Sequence, residues 1–187
     1  DGNLIASLRG CSMVVKIDRA AGTGETIWDI GGFNPSLQIV GDSFEEFCGQ
    51  HTASEYEDGN LYIFDNGGHC NGSREKTSGL FSRALQYSLD VDAGQANFIR
   101  DYSLDGSYSE YTTSGGSFFP TKNGNWLINW ARGINDITEV TQDDDIAFQF
   151  FFSSEGEKIR VYRADRDYDL KLPININGEL SFYRYDQ

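Results

Sequence analysis

Three turns of one form, Asp1-Gly2-Asn3, Asp58-Gly59-Asn60 and Asn123-Gly124-Asn125, start at residues 1, 58 and 123, that is 57 and 65 residues apart. Each supplies a glycine for a backbone conformation with positive φ and is followed by a short apolar run, as a hairpin turn requires. After each come a second strand-like run ending near an acidic residue and a third that carries aromatics. A unit of this length with about four strands is the pattern of a propeller blade. The expectation is therefore an all-β protein, a β-propeller, with about three four-stranded blades at roughly 1–46, 47–110 and 111–187. A β-sandwich with coincidental turns is the alternative. Three blades fall short of the roughly four that close a ring, so these should be part of a larger propeller.

The strand reading is specific. Leu4–Leu8, Met13–Asp18 and Thr26–Ile30 form the first set, and 33–46 reads as an irregular loop. The second set begins on the strand that carries His51. It continues with the run after Asn60, with Arg83–Asp90 and with Ala96–Tyr102. The third comprises Ser117–Phe119, Trp126–Trp130, Asp136–Val140 and Ile146–Phe152, with Ile159–Arg163 and Leu180–Tyr183 behind it. Abundant glycine (21) against scarce proline (3), with 14% aromatic residues, suits many short strands joined by tight turns.

Charge restricts the partners. Fifteen basic against 29 acidic residues give a net charge of −14, a field that repels a phosphate backbone, and no basic stripe is interleaved with aromatics. We expect no nucleic-acid partner. An anionic small substrate would need a local cationic spot to overcome the global field. No apolar run approaches the length of a membrane span. The opening at Asp1, already inside a turn-strand pattern, leads us to expect a processed, trimmed or partial sequence.

Cys11, Cys48 and Cys70 fit no zinc spacing. Cys48 and Cys70 bracket the strand of His51 and the one after it. A disulfide between them in an oxidising compartment stands against two buried thiols, and Cys11 is left over either way. His69 beside Cys70 is too few ligands for a metal, and Asp143-Asp144-Asp145 lacks the spacing of a calcium loop. We expect no metal and no cofactor. Asn71-Gly72-Ser73 is a formal glycosylation sequon.

Several segments together resemble the aryl-sulfate sulfotransferase (ASST) family. They are Gln50-His51-Thr52-Ala53, the Gly-x-Leu-x-x-Phe-Asp-Asn-Gly run from Gly59 to Gly67, and Ser82-Arg83-x-x-x-Tyr87-x-x-Asp90. Upstream, Ser7-x-Arg9, Ser12-x-Val14-x-Lys16-Ile17 and Trp28-x-Ile30-Gly31 are similar to that family's preceding blade. Downstream, Asn123-Gly124-Asn125-x-Leu127-Ile128, Ile137-Thr138-Glu139-Val140 and Tyr162-Arg163-Ala164 match its later ones. The resemblance covers about residues 3–166.

It implies a six-bladed propeller with its site in the central channel. It also implies transfer of a sulfuryl group from a phenolic sulfate ester to a phenolic acceptor, with no nucleotide sulfate donor. His51 stands where that family carries the group transiently, and Arg9 takes its arginine position. The residue types suit the chemistry, since a neutral imidazole is a competent nitrogen nucleophile near pH 7. A planar guanidinium can clamp sulfate oxygens as charge builds on them. Gln50 and Thr52, flanking His51, are candidate substrate contacts. The family's histidine and asparagine upstream of Arg9 have no counterpart here. Its later threonine falls near Gly115, with Ser114 and Ser117 as stand-ins. The partners implied are a small aryl sulfate and a phenol, and the compartment expected is the periplasm or the extracellular space.

Each residue also has a structural reading: His51 as a hydrogen-bonded strand residue, Arg9 in an ion pair, Arg83 in packing or paired with Asp65 or Asp90. A non-catalytic propeller that binds a ligand or a protein is the rival function. A quinone-dependent dehydrogenase lacks visible cofactor ligands.

Overall fold

The computed structural model describes residues 1–68, 80–104, 108, 110–131, 136–152, 161–164 and 180–183. Within them the backbone is all-β, with no α-helix. The strands are β1 Leu4–Leu8, β2 Met13–Ile17, β3 Thr26–Gly31, β4 Gln38–Val40, β5 His51–Glu55, β6 Asn60–Asp65 and β7 Arg83–Asp90. They continue with β8 Gln95–Tyr102, β9 Ser117–Pro120, β10 Trp126–Asn129, β11 Asp136–Val140, β12 Ile146–Phe152 and β13 Leu180–Tyr183. One 3-10 turn, Arg9–Cys11, joins β1 to β2. The chain divides into two compact units, Asp1–Tyr111 and Thr112–Gln187.

The turn repeat read from the sequence sets the topology. Gly2, Gly59 and Gly124 take φ of 86°, 75° and 85°, and each stands just before the strand (β1, β6, β10) that opens an antiparallel meander. β1 pairs with β2 and β2 with β3, β6 with β7 and β7 with β8, β10 with β11 and β11 with β12. Two of the three sheets carry a further antiparallel strand ahead of the turn, β5 on β6 and β9 on β10. The sheet orders are β1-β2-β3, β4-β8-β7-β6-β5 and β13-β12-β11-β10-β9.

One element corrects the sequence reading. The stretch 33–46, expected as a loop, contains β4, which runs parallel to β8 with Gln38 opposite Gln95 and Val40 opposite Asn97. Three residues without alternation carry no strand signal of their own. Their register partners lie 57 residues on, Gln38 beside Gln95, and the Gln38 amide donates to the Gly94 carbonyl at 2.9 Å, so only the tertiary fold makes them a strand. Val161–Arg163, expected as part of a strand, is none. There the Tyr162 carbonyl accepts from the Gly116 amide at 3.0 Å, and Ala164 is bonded through both backbone groups to the Ser117 hydroxyl.

In the first unit the core lies between the sheet of β1–β3 and the sheet of β4–β8. Val14, Trp28, Ile30 and Leu37 from the one side meet Leu61, Ile63, Leu85, Tyr87 and Ala96 from the other, with Phe47 among them. Each strand contributes alternate residues, because successive side chains point to opposite faces. Burial of these chains, each worth about 1.5–3 kcal/mol when taken fully out of water, sets the spacing of the two sheets. The nearly buried Lys16 bridges them at one end, with Nζ 2.6 Å from Glu55 and 2.5 Å from Asp1.

Candidate functional site

His51 is the first residue of β5, and its orientation follows from a bulge. In the β5–β6 register His51 lies opposite Phe64 and Ala53 opposite Ile63, so Thr52 is the extra residue. Thr52 takes φ of 44°, a left-handed conformation that costs a β-branched residue roughly 1–2 kcal/mol. Phe64 and Ile63 are neighbours on a regular strand and face opposite ways. Ala53 packs on the core with Ile63, so the bulge turns His51 to the other face. Without it, His51 and Ala53 would point the same way. Bulges re-aim side chains next to functional sites in this manner.

The imidazole is half-buried, and its Nδ1 lies 2.6 Å from Asn66 Oδ1. Asn66 is itself 1% exposed. Burial is the main cause that lowers the His51 pKa below its ordinary 6.5. The positive charge of Arg9 lowers it further, while Asn66 and the Gly49 carbonyl pull in the other direction. The net effect is a ring that is neutral at pH 7.

Arg9 reaches this neighbourhood through the connection between β1 and β2. The amide of Ser12, at φ 49°, closes the turn on the Arg9 carbonyl at 3.1 Å. Both stems of the turn are gripped by Gln50, whose Nε2 donates to Ser7 Oγ at 3.1 Å and to the Met13 carbonyl at 3.0 Å. The Gly49 amide donates to Ser12 Oγ at 3.2 Å. Three hydrogen bonds from residues 49 and 50 thus hold the arginine turn against the start of β5. Gln50 Oε1 is buried, with no hydrogen-bond partner among the described residues.

Gly49 is dictated by space. At φ 58°, a Cβ there would lie 2.5 Å from the Gly68 carbonyl oxygen. Its neighbour Cys48 is fully buried and exchanges backbone bonds with the end of β6. The Cys48 amide donates to Asp65 Oδ1 and its carbonyl accepts from Gly67, both at 2.9 Å. Cys70, the other half of the expected bridge, lies outside the described residues, as do His69 and the Asn71 sequon. Cys11 is an exposed free thiol.

Behind the site lies an ionic network, of which the sequence reading included only the Asp65–Arg83 pair. Arg83, fully buried, reaches Asp42 through two nitrogens at 3.0 and 2.7 Å, Asp65 Oδ2 at 3.1 Å and Asp101 at 2.9 Å. The Tyr87 hydroxyl adds a bond to Asp42 at 2.7 Å, and the Phe44 ring stacks on the guanidinium at 4.8 Å. Burial alone would raise the Asp42 pKa, but the Arg83 hydrogen bonds and charge hold it below the ordinary value. Asp90, the other partner considered for Arg83, sits at the far end of β7, where it caps the turn at Ala93. Asp42 was not legible as a partner, because it precedes Arg83 by 41 residues in an irregular stretch.

The second unit holds Ser114 and Ser117. Ser114 occupies a half-buried bend before two glycines with positive φ. Ser117 opens β9, fully buried, with its hydroxyl engaged by Ala164. This unit also has a buried polar cluster at the end of β10, with no arginine in it among the described residues. Asp136 accepts from Gln149 at 2.7 Å and Thr138 at 3.3 Å, Trp130 donates to Thr138 at 3.1 Å, and burial raises the Asp136 carboxyl. Asp143–Asp145 form the β11–β12 turn, capped by the Thr141 hydroxyl.

No curated protein sequence matches the chain. The sequence profile described as Arylsulfotransferase (ASST) matches residues 1–177 of the 187. That span takes in the β1–β2 turn with Arg9, the bulged strand of His51 and every strand but β13. With nearly the whole length matched, the chain belongs to the arylsulfotransferase (ASST) family.

Proposed function

We propose that this chain carries the sulfuryl-transfer site of an arylsulfotransferase that works through a covalent histidine. A phenolic sulfate ester gives its sulfuryl group to His51, and a phenol then takes it, with no nucleotide sulfate donor. Arg9 neutralises the sulfuryl oxygens as charge develops on them. Thr52 contacts substrate from the bulge, and Gln50 holds the arginine turn. The observation that carries the reading is the half-buried His51, neutral at pH 7, with the charge of Arg9 acting on it. A neutral imidazole is nucleophilic, and an adjacent cation favours an incoming sulfate ester.

The three repeated meanders support a β-propeller in which each sheet is a blade, part of the six-bladed ring that the family resemblance implies. A periplasmic or extracellular location, with Cys48 and Cys70 bridged, completes the proposal.

The test is mass spectrometry of the protein mixed with an aryl sulfate and no acceptor, beside His51→Ala. A sulfuryl adduct on the His51 peptide, absent from the variant, is expected. No adduct, with phenol release at background, would overturn the transferase reading in favour of a binding propeller.

A further inference from the structure

Resting on the reading that His51 accepts the sulfuryl group, we propose that Asn66 is a positioning residue that fixes the reactive tautomer. It keeps the ring proton on Nδ1, makes Nε2 the atom that bonds sulfur, and serves because it is an amide rather than a carboxylate.

The geometry comes first. Nδ1 and Asn66 Oδ1 are 2.6 Å apart, a separation that requires a proton between them. An amide oxygen has none to give, so the donor is Nδ1–H, and the lone pair of the neutral ring resides on Nε2. The mount is rigid. Asn66 is 1% exposed and its carbonyl accepts from the Ser82 hydroxyl at 2.8 Å. Its neighbours on both sides are tied down, Asp65 to Arg83 at 3.1 Å and Gly67 to the Cys48 carbonyl at 2.9 Å. Such a partner sets the orientation and basicity of a histidine.

The charged groups around the ring agree with this choice. From the β1–β2 turn Arg9 presents a positive charge, and from the segment leading into β5 the Gly49 carbonyl favours a ring proton. Asp65, adjacent to Asn66, spends its carboxylate on Arg83 and on the Cys48 and Gly67 amides.

The chemistry explains the amide. In the first half-reaction the Nε2 lone pair forms the N–S bond. The S–O(aryl) bond breaks with its electron pair on the departing phenolate, which takes a proton from water. The ring, still protonated on Nδ1, is then a cationic leaving group. In the second half-reaction the acceptor phenol loses its proton to water, its oxygen bonds sulfur, and the N–S pair returns to Nε2. A carboxylate at position 66 would stabilise the charged resting imidazole and draw the proton off Nδ1 in the sulfated ring. A neutral sulfoimidazole holds its N–S bond more firmly. The amide oxygen accepts a hydrogen bond without taking the proton.

The chain has only two histidines, so nitrogen-15 NMR of the whole protein, with His69→Gln to assign the signals, reads the resting tautomer directly. Protonation at Nδ1 of His51 is expected, with the preference lost in Asn66→Ala. Protonation at Nε2 in the unaltered protein would overturn the proposal whatever the activity. If Nδ1 carries the proton but no adduct forms, the transfer reading fails and the positional part of this one stands. In single-turnover mixing, Asn66→Asp should form the adduct yet discharge it to a phenol about 10–100-fold more slowly. Its acid limb should move up by about one pH unit. Discharge at the unaltered rate would overturn the argument for the amide.

Discussion

Asp65 and Arg83 stand opposite each other on β6 and β7, carboxylate Oδ2 to guanidinium Nε at 3.1 Å, with no side-chain surface exposed on either. The other oxygen of Asp65 accepts from the Cys48 and Gly67 amides at 2.9 Å. One ion pair therefore ties the strand end bearing Asn66 to the segment that leads into His51. It is part of a cluster in which one arginine serves three aspartates.

Removing the arginine leaves buried carboxylates without their counter-charge. Arg83→Met should lose about 3–5 kcal/mol of stability, measured as a lower urea midpoint. Arg83→Lys should recover little, because an ammonium cannot make the fork that spans Asp42, Asp65 and Asp101. A variant within 1 kcal/mol of the original would show the network to be dispensable.

The same cluster sets an acid limit. The folded-state pKa of Asp42 lies below 3.8, its ordinary value, through Arg83 and Tyr87 overcoming burial. Its stabilising contribution is therefore complete above about pH 4 and is lost as the pH falls through the folded value. Unfolding followed between pH 5 and 2 should show stability declining below pH 4. A flat profile there would contradict the assignment.

Arg9 should act on both the rate and its pH dependence. Arg9→Ala is expected to slow transfer by about 10²–10³-fold, the usual cost of losing a preorganised charge partner. Since its charge is one of the causes holding His51 below 6.5, the acid limb of the rate should also move upward in this variant. Rates measured from pH 4 to 8 check both; a lower rate with an unmoved limb would place Arg9 away from the ring.

Thr52 gives a geometric test. Thr52→Gly relieves the left-handed strain and should raise the melting temperature slightly, by about 1 kcal/mol of stability, while keeping the bulge. Deleting Thr52 instead makes His51 and Ala53 successive residues of a regular strand, so position 51 stays opposite Phe64 and off the core face, and the sulfuryl adduct should still form. Loss of the adduct in a folded deletion variant would show that the bulge does more than set the face of His51.

A bridge between Cys48 and Cys70 should appear as a linked peptide in a non-reducing digest and vanish on reduction. Closing a loop of that size contributes about 3 kcal/mol, so reduction should lower the melting temperature. Separate unlinked thiol peptides would remove the bridge from the proposal.

The turns and strands were legible because their causes are local. Gly2, Gly59 and Gly124 are demanded by positive φ, and β1, β7, β11 and β12 carry apolar or β-branched runs that declare their own ends. His51 and Arg9 stood out through the order of short segments around them, and the family match bears out that resemblance. Asn66, although it sits within a quoted motif, offered no sign of its task, since an asparagine after a strand is an ordinary turn residue.

By itself the sequence determined the all-β class, the threefold repeat and most strand bounds, all of which follow from side-chain period and turn chemistry within a few residues. The tertiary structure alone decided that β4 is a strand, that Thr52 is a bulge which turns His51 off the core face, and that Asp42, Asp65 and Asp101 share one arginine. These depend on strand pairings and charges between residues as many as 57 positions apart, such as Gln38 and Gln95. The contacts exist only once the chain has closed those loops, and nothing in the local pattern of residues encodes them.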